Sequence, residues 1–210
     1  MFTNLVIANK RTKMRGADRR AAIASSATQL FARRGFRGVT TKELANAAGV
    51  SEPVLYEHFK DKSELYSAII DAKSQHVAAL LGEWFEPYKD SDDDRGFFLS
   101  LARLILDFHS QDEDYMRLTL FSALEDHPFA RLSFDRHAKP FYRQIAKYIK
   151  RRVEAGAFRG VDPVLAGRAF ASLISHYCLF ELQFGFKTIK ISRKRAVEGL
   201  VDIYLNGIMK

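Results

Sequence analysis

Between residues 40 and 62 the chain carries hydroxyls at Thr40, Thr41 and Ser51, cations at Lys42, Lys60 and Lys62, a phenol at Tyr56 and an imidazole at His58. Each of these groups donates a hydrogen bond and three are positively charged, so the set suits the oxygens of a polyanion better than it suits bond breaking. No glycine-rich phosphate loop, paired metal-ligand cluster or nucleophile with an adjacent base occurs in the sequence. Cys178, the one cysteine, has Tyr177 and His176 beside it, but neighbouring positions on a helix point apart. The chemistry is therefore binding, not catalysis, and calls for no cofactor and no metal.

Charge along the chain agrees. The protein holds 33 Lys+Arg against 25 Asp+Glu. Residues 1–62 carry 12 basic and 5 acidic residues, leaving 21 and 20 for residues 63–210. The excess sits in the first third, as expected if that third meets phosphate.

The donors need elements to position them. A first helix is expected from Ala17 to Arg34, with Ile23, Ala27, Leu30 and Phe31 on one face and Gly35 as its stop. Thr40 caps a second, short helix, with Glu43 completing a capping box and Val39 and Leu44 forming a staple. Ala45 and Ala48 allow close packing, and Gly49 takes the positive φ of a sharp turn. Ser51 then caps a third helix with Pro53 in its first turn and Val50 and Leu55 as a second staple. Leu55 and Phe59 face inward, leaving Glu52, Pro53, Val54, Tyr56 and His58 outward on a helix of the width a major groove admits. Capped hairpins of this kind also occur in proteins that never meet DNA, so the geometry by itself leaves both readings open.

The exact residues go further. Ala27, Leu30, Phe31, Ala32 and Gly35, then Thr40, Thr41, Ala45, Ala48, Gly49, Val50 and Ser51, then Leu55, Tyr56, His58, Phe59, Lys60, Lys62 and Leu65 resemble the TetR family of bacterial regulators. The resemblance implies an all-α protein: a helix-turn-helix domain (17–62, motif 40–59) followed by a larger ligand-binding and dimerisation domain (63–210). It implies that Thr41, Lys42, Tyr56, His58 and Lys62 hold phosphates and that Glu52, Pro53 and Val54 stand where family members read base edges. Glu52 departs from a simple expectation, being repelled by phosphate, although it can accept from a cytosine amino group; Val54 suits a thymine methyl. With Thr40, Ser51 and Lys60 these residues form the expected contact set for double-stranded operator DNA. Residues 1–16 are a basic arm, with Lys10, Arg11, Lys13 and Arg15, suited either to the minor groove or to solvent.

Beyond residue 63 the match is architectural only. Apolar helical segments are expected near 95–109, 113–125, 128–155, 162–185 and 192–208, after a solvated acidic connection at 90–94. Aromatic side chains are concentrated here and are more often core than pocket lining. The resemblance implies a pocket for an apolar or aromatic small-molecule effector, for which Trp84, Phe108, Phe121, Phe141 and Tyr177 are the candidates. His109, His127, His137 and His176 are read as surface or hydrogen-bonded histidines. The helices near 162–185 and 192–208 resemble the family's dimerising pair. The expected protein is a homodimeric, ligand-released repressor, or a DNA-binding regulator whose second domain takes a protein partner. No run approaches a membrane span, and the single Cys178 excludes an intrachain disulfide, so the cytoplasm is the expected compartment and no membrane partner is expected.

Overall fold

The computed structural model describes residues 16–69, 83–111, 113–126, 128–187 and 190–209. Among these the chain is helical: α1 (Gly16–Arg34), α2 (Thr41–Ala47), α3 (Glu52–His58), α4 (62–69), α5 (Asp94–Gln111), α6 (Glu113–Leu124), α7 (Pro128–Ser133), α8 (Lys139–Glu154), α9 (Pro163–Cys178) and α10 (Arg193–Ile208). The basic arm, apart from Gly16, and His127 lie outside the described residues.

Two apolar cores organise these helices. The first takes Ile23, Ala27 and Phe31 of α1, Leu44 and Ala45 of α2, Leu55 of α3, Phe59, and Leu65, Tyr66 and Ile69 of α4. Phe31 and Phe36 each set their rings 4.4 and 4.6 Å from Tyr66 in edge contacts, the arrangement that ring quadrupoles favour. Leu118 of α6 is buried in the same core, so packing runs across the expected boundary at residue 62. The second core joins α5, α8, α9 and α10 around Phe97, Phe98, Tyr148, Phe170 and Ile174. There Phe97 stacks on Tyr148 with the ring centroids 3.7 Å apart. Cys178 is fully buried in it, and burial raises its thiol to about 11, as expected for an inert thiol.

Two sequence expectations change. The helix foreseen over 128–155 is divided by a π-helical stretch, Phe134–Ala138. Pro140 lies just beyond, and its missing N–H together with its ring bulk removes the ordinary bond to the carbonyl four residues earlier, which is where wide turns occur. The helix foreseen over 162–185 likewise ends in a π-turn, Leu179–Gln183.

The acidic connection is also not simply solvated. Arg152 donates from Nε and Nη2 to the two oxygens of Asp94 at 2.8 and 2.9 Å, and both side chains are buried. Tyr148 donates to Asp94 Oδ1 at 2.8 Å, while Arg151 and Arg152 both reach Asp92. Sequence patterning shows an acidic run but not that α8 returns two arginines to it 58 residues later.

Candidate nucleic-acid interface and its connection to the second domain

The α2–α3 unit is set by local chemistry. Thr40 Oγ1 accepts from the Glu43 N–H at 3.2 Å, and the Glu43 carboxylate accepts from the Thr40 N–H at 2.8 Å, closing the predicted capping box. Arg34 donates to the other Glu43 oxygen at 2.7 Å. These bonds, the Thr40 N–H first, hold the Glu43 carboxyl at about 2. Gly49, with φ +66°, turns the chain between the helices, a conformation costly for any side chain with a Cβ. Ser51 stands at the start of α3, but its hydroxyl makes no capping bond, contrary to expectation; Pro53 in the first turn already lacks one of the donors a cap would serve.

The predicted contact residues divide into two groups. Thr40, Lys42, Ser51, Pro53, Tyr56 and Lys60 are exposed, with Tyr56 49% accessible; Val54 and His58 are partly so. The others are engaged within the protein. Thr41 donates its hydroxyl to Glu52 Oε1 at 2.8 Å, a brace between the first turns of α2 and α3. Lys62 turns inward, where Nζ donates to the carbonyls of Phe36 and Val39 and lies 4.1 Å from the Phe36 ring centre. Desolvation lowers its pKa, against the pull of Glu125 and Glu43. This lysine sits where the resemblance implies a phosphate contact, yet two of its three N–H donors go to the loop between α1 and α2.

Residues missed in the sequence hold this surface in place. Arg20 of α1 donates to the His58 carbonyl and to Glu64 at 2.9 Å, and its guanidinium lies 4.1 Å from the Phe59 ring centre, so the end of α3 is tied to α1 and α4. Glu125, just past α6, accepts from the Phe36 N–H at 2.9 Å through one carboxylate oxygen, and its backbone carbonyl accepts from Arg37 at 3.2 Å. Gly35 makes room for it: φ is +70°, and a Cβ there would stand 2.5 Å from Glu125 Oε1. Arg117 of α6 donates to the Ala32 carbonyl at 3.2 Å. The Gly35 signal was legible as a helix stop; its partner, 90 residues away in sequence, was not.

The aromatic candidates for an effector pocket do not converge. Trp84 and Phe141 are neighbours, 6.4 Å between ring centres, and the Trp84 indole N–H donates to Ser100 at 2.6 Å. Tyr177 packs on the same core. Phe108 instead packs against the first core, and Phe121 lies beside Gly35 at the contact with α1. Two open clefts, of about 240 and 300 Å³, are lined by none of the five.

Comparison with known proteins gives this geometry its context. Residues 23–69 match the description "Bacterial regulatory proteins, tetR family", and residues 99–207 match "AefR-like transcriptional repressor, C-terminal domain". An uncharacterised HTH-type transcriptional regulator of Bacillus subtilis, YvkB, is 23% identical over 201 residues, 93% of this chain and 98% of its own. A putative TetR-family regulator of Mesorhizobium loti superposes with a TM-score of 0.71 at 20% identity, covering 94% of this chain and 100% of that one. The structure of AibR in complex with isovaleryl coenzyme A and operator DNA gives 0.63 at 18% identity, covering 88% and 97%. With its two matches covering both the helix-turn-helix and most of the second domain, the chain belongs to the TetR family of bacterial transcriptional regulators.

Proposed function

We propose that the protein is a homodimeric repressor that binds a pseudo-palindromic operator and is released by a small molecule, which the aromatic content of the second domain suggests has an apolar or aromatic part. The observation that carries the DNA half of this reading is the helix-turn-helix, in which α2 is closed by its capping box and Lys42, Tyr56 and Lys60 are exposed. Lysine and hydroxyl donors in this setting fix a protein's register on the phosphate backbone. Val54 and Pro53, on the outer side of α3, offer apolar contact to base edges, whereas Glu52 is committed to Thr41 and acts first as a brace. Dimerisation is supported by Leu165 on α9 and Ile203 on α10, 69% and 68% exposed in the single chain. A twofold pair would set two α3 helices about one DNA turn apart.

The testing experiment measures binding of the full-length protein to DNA upstream of its own gene and to random DNA, across a salt series, with sedimentation to give the oligomeric state. Selective binding by a dimer, weakened roughly tenfold or more by Tyr56→Ala with the thermal midpoint unchanged, is the expected result. Equal affinity for both DNAs, or a monomer at binding concentrations, would sink the proposal. A second reading, a domain that docks a protein partner, draws on exposed Phe184 and Phe186, whose ring centres lie 5.6 Å apart just past the π-turn. It predicts operator affinity that no small molecule alters.

A further inference from the structure

The strongest charge imbalance in the second domain lies between α9 and α10. Lys187, Lys190, Arg193, Lys194 and Arg195 fall within nine residues, and no acidic residue occurs between Glu181 and Glu198. Residues 63–210 hold 21 basic and 20 acidic residues, so without these five the remainder has 16 against 20. All five are exposed, and none enters an ion pair among the described residues. Arg193, Lys194 and Arg195 occupy the first turn of α10, directly after the Ser192 cap. The positive end of the helix dipole lies there, so acidic residues stabilise such a turn and cations oppose it. Folding gains nothing from this placement, whereas a polyanion is attracted by it.

The chain entering this stretch is ordered. Gly185 takes φ +69°, and the Phe184 and Phe186 N–H groups donate to the Leu179 and Phe180 carbonyls at 3.0 and 2.9 Å. The rings of Phe180, Phe184 and Phe186 pack on one another with centres 5.5, 5.6 and 6.0 Å apart.

Position identifies the polyanion. At one end of the second domain Arg152 of α8 meets Asp94 of α5, the Arg159 N–H donates to the Ile208 carbonyl of α10 at 2.9 Å, and Tyr204 of α10 donates to the Ala166 carbonyl of α9 at 2.9 Å. At the other end His109 of α5, Gln183 after α9 and Arg193 of α10 line one cleft. That end adjoins the DNA-binding domain. Phe108 packs there against the first core, and α6, which starts at the same cleft with Glu113, bonds the end of α1 through Arg117. The cations therefore stand at the end of the second domain nearest the helix-turn-helix. In a dimer formed through α9 and α10, the two connections lie near the twofold axis, between the two α3 helices and over the centre of the operator. Exposed phenylalanines beside cations also suit an anionic lipid surface, but a flat bilayer approaching this end meets the DNA-binding domain first.

We infer that the α9–α10 connection is a second DNA-contacting element, in which Lys187, Lys190, Lys194 and Arg195 hold backbone phosphates between the two half-sites. This rests on the dimeric, operator-binding reading above. Such contacts read no bases; they add affinity and salt dependence.

The test titrates three full-length proteins with the DNA upstream of the protein's own gene and with random DNA, across a salt series. The first is native. The second carries Lys187→Gln, Lys190→Gln, Lys194→Gln and Arg195→Gln together. The third, a control, carries Lys139→Gln, Arg143→Gln, Lys147→Gln and Lys150→Gln, which removes the same charge from exposed positions of α8. The connection variant should lower the slope of log affinity against log salt by about 2 or more, since one contact per subunit contributes roughly 0.9. Its thermal midpoint should be unchanged or raised, because cations leave the first turn of α10. The control should change the slope by less than one contact. Uncharged methylphosphonate linkages at the centre of the bound site should weaken native binding about fivefold or more and leave the connection variant unaffected. Equal slope changes in both variants would mean an effect of net charge alone and overturn the inference. Selective binding whose slope the connection variant keeps in full removes this element and leaves the repressor reading intact; co-sedimentation with phosphatidylglycerol vesicles, lost in that variant, would then assign the cations to lipid. Native protein without preference for the upstream DNA removes the repressor reading instead, and the slopes on random DNA then decide whether the connection meets phosphate.

Discussion

At the scale of single residues, the distinction between Lys42 and Lys62 is the most informative. Both are lysines in the segment that faces phosphate by resemblance, yet Lys42 is exposed and Lys62 has its ammonium against the Phe36 and Val39 carbonyls. Each phosphate contact contributes roughly 0.9 to the slope of log affinity against log salt. Lys42→Ala should lower that slope by about this amount per subunit. Lys62→Met should leave the slope unchanged and lower the unfolding midpoint instead, since it removes the bridge under the α1–α2 loop. A salt titration of both variants separates the roles; a slope change in Lys62→Met would mean that this side chain turns outward on DNA.

At the scale of elements, the α2 cap and the α5–α8 ion cluster are the two charged networks that fix helix ends. Glu43 is held at about 2 by the Thr40 N–H and Arg34. A carboxylate with a depressed folded pKa adds stability that is fully present above its unfolded value, near 4.5, and is lost as pH falls through the folded value. Urea unfolding midpoints should therefore fall between pH 4.5 and about 2 more steeply in the native protein than in Glu43→Gln, whose cap no longer titrates. The second element-level prediction concerns Asp94, which is buried and receives Arg152 and Tyr148. Asp94→Ala leaves the Arg152 guanidinium buried beside only Asp92, and should cost about 3 kcal/mol in equilibrium denaturation. A loss below about 1 kcal/mol would place the cluster in the class of exposed pairs.

At the scale of the whole molecule, α6 is held against the DNA-binding domain: Leu118 is part of the first core, Arg117 bonds the end of α1, and Glu125 follows its last turn. A helix held this way transmits displacement because packed interfaces move between discrete arrangements rather than deforming smoothly. Glu125→Ala removes the acceptor for the Phe36 N–H and the carboxylate that Gly35 accommodates. It should keep operator binding within a few-fold of native while sharply reducing the effect of any effector on that binding. Operator titrations with and without effector measure both quantities, and an undiminished effector response would move the coupling route elsewhere.

Sequence alone determined what depends on near neighbours. The stop at Gly35, the Thr40–Glu43 box, the turn at Gly49 and the inward Leu55 and Phe59 all follow from interactions spanning a few residues, and the structure bears them out. The family was legible for the same reason, since its motif is a run of caps, small residues and staples. Only the tertiary structure decided which polar groups are engaged within the protein, because that depends on partners beyond the local turn: Lys62 on Phe36, Glu52 on Thr41, Arg152 on Asp94, Glu125 on Phe36. It also scattered the five aromatic candidates, whose helical spacing carries no information about which of two cores they enter. The burial of His109 was invisible for a related reason: a polar side chain reads as surface in sequence, and only the packing around it takes it out of solvent.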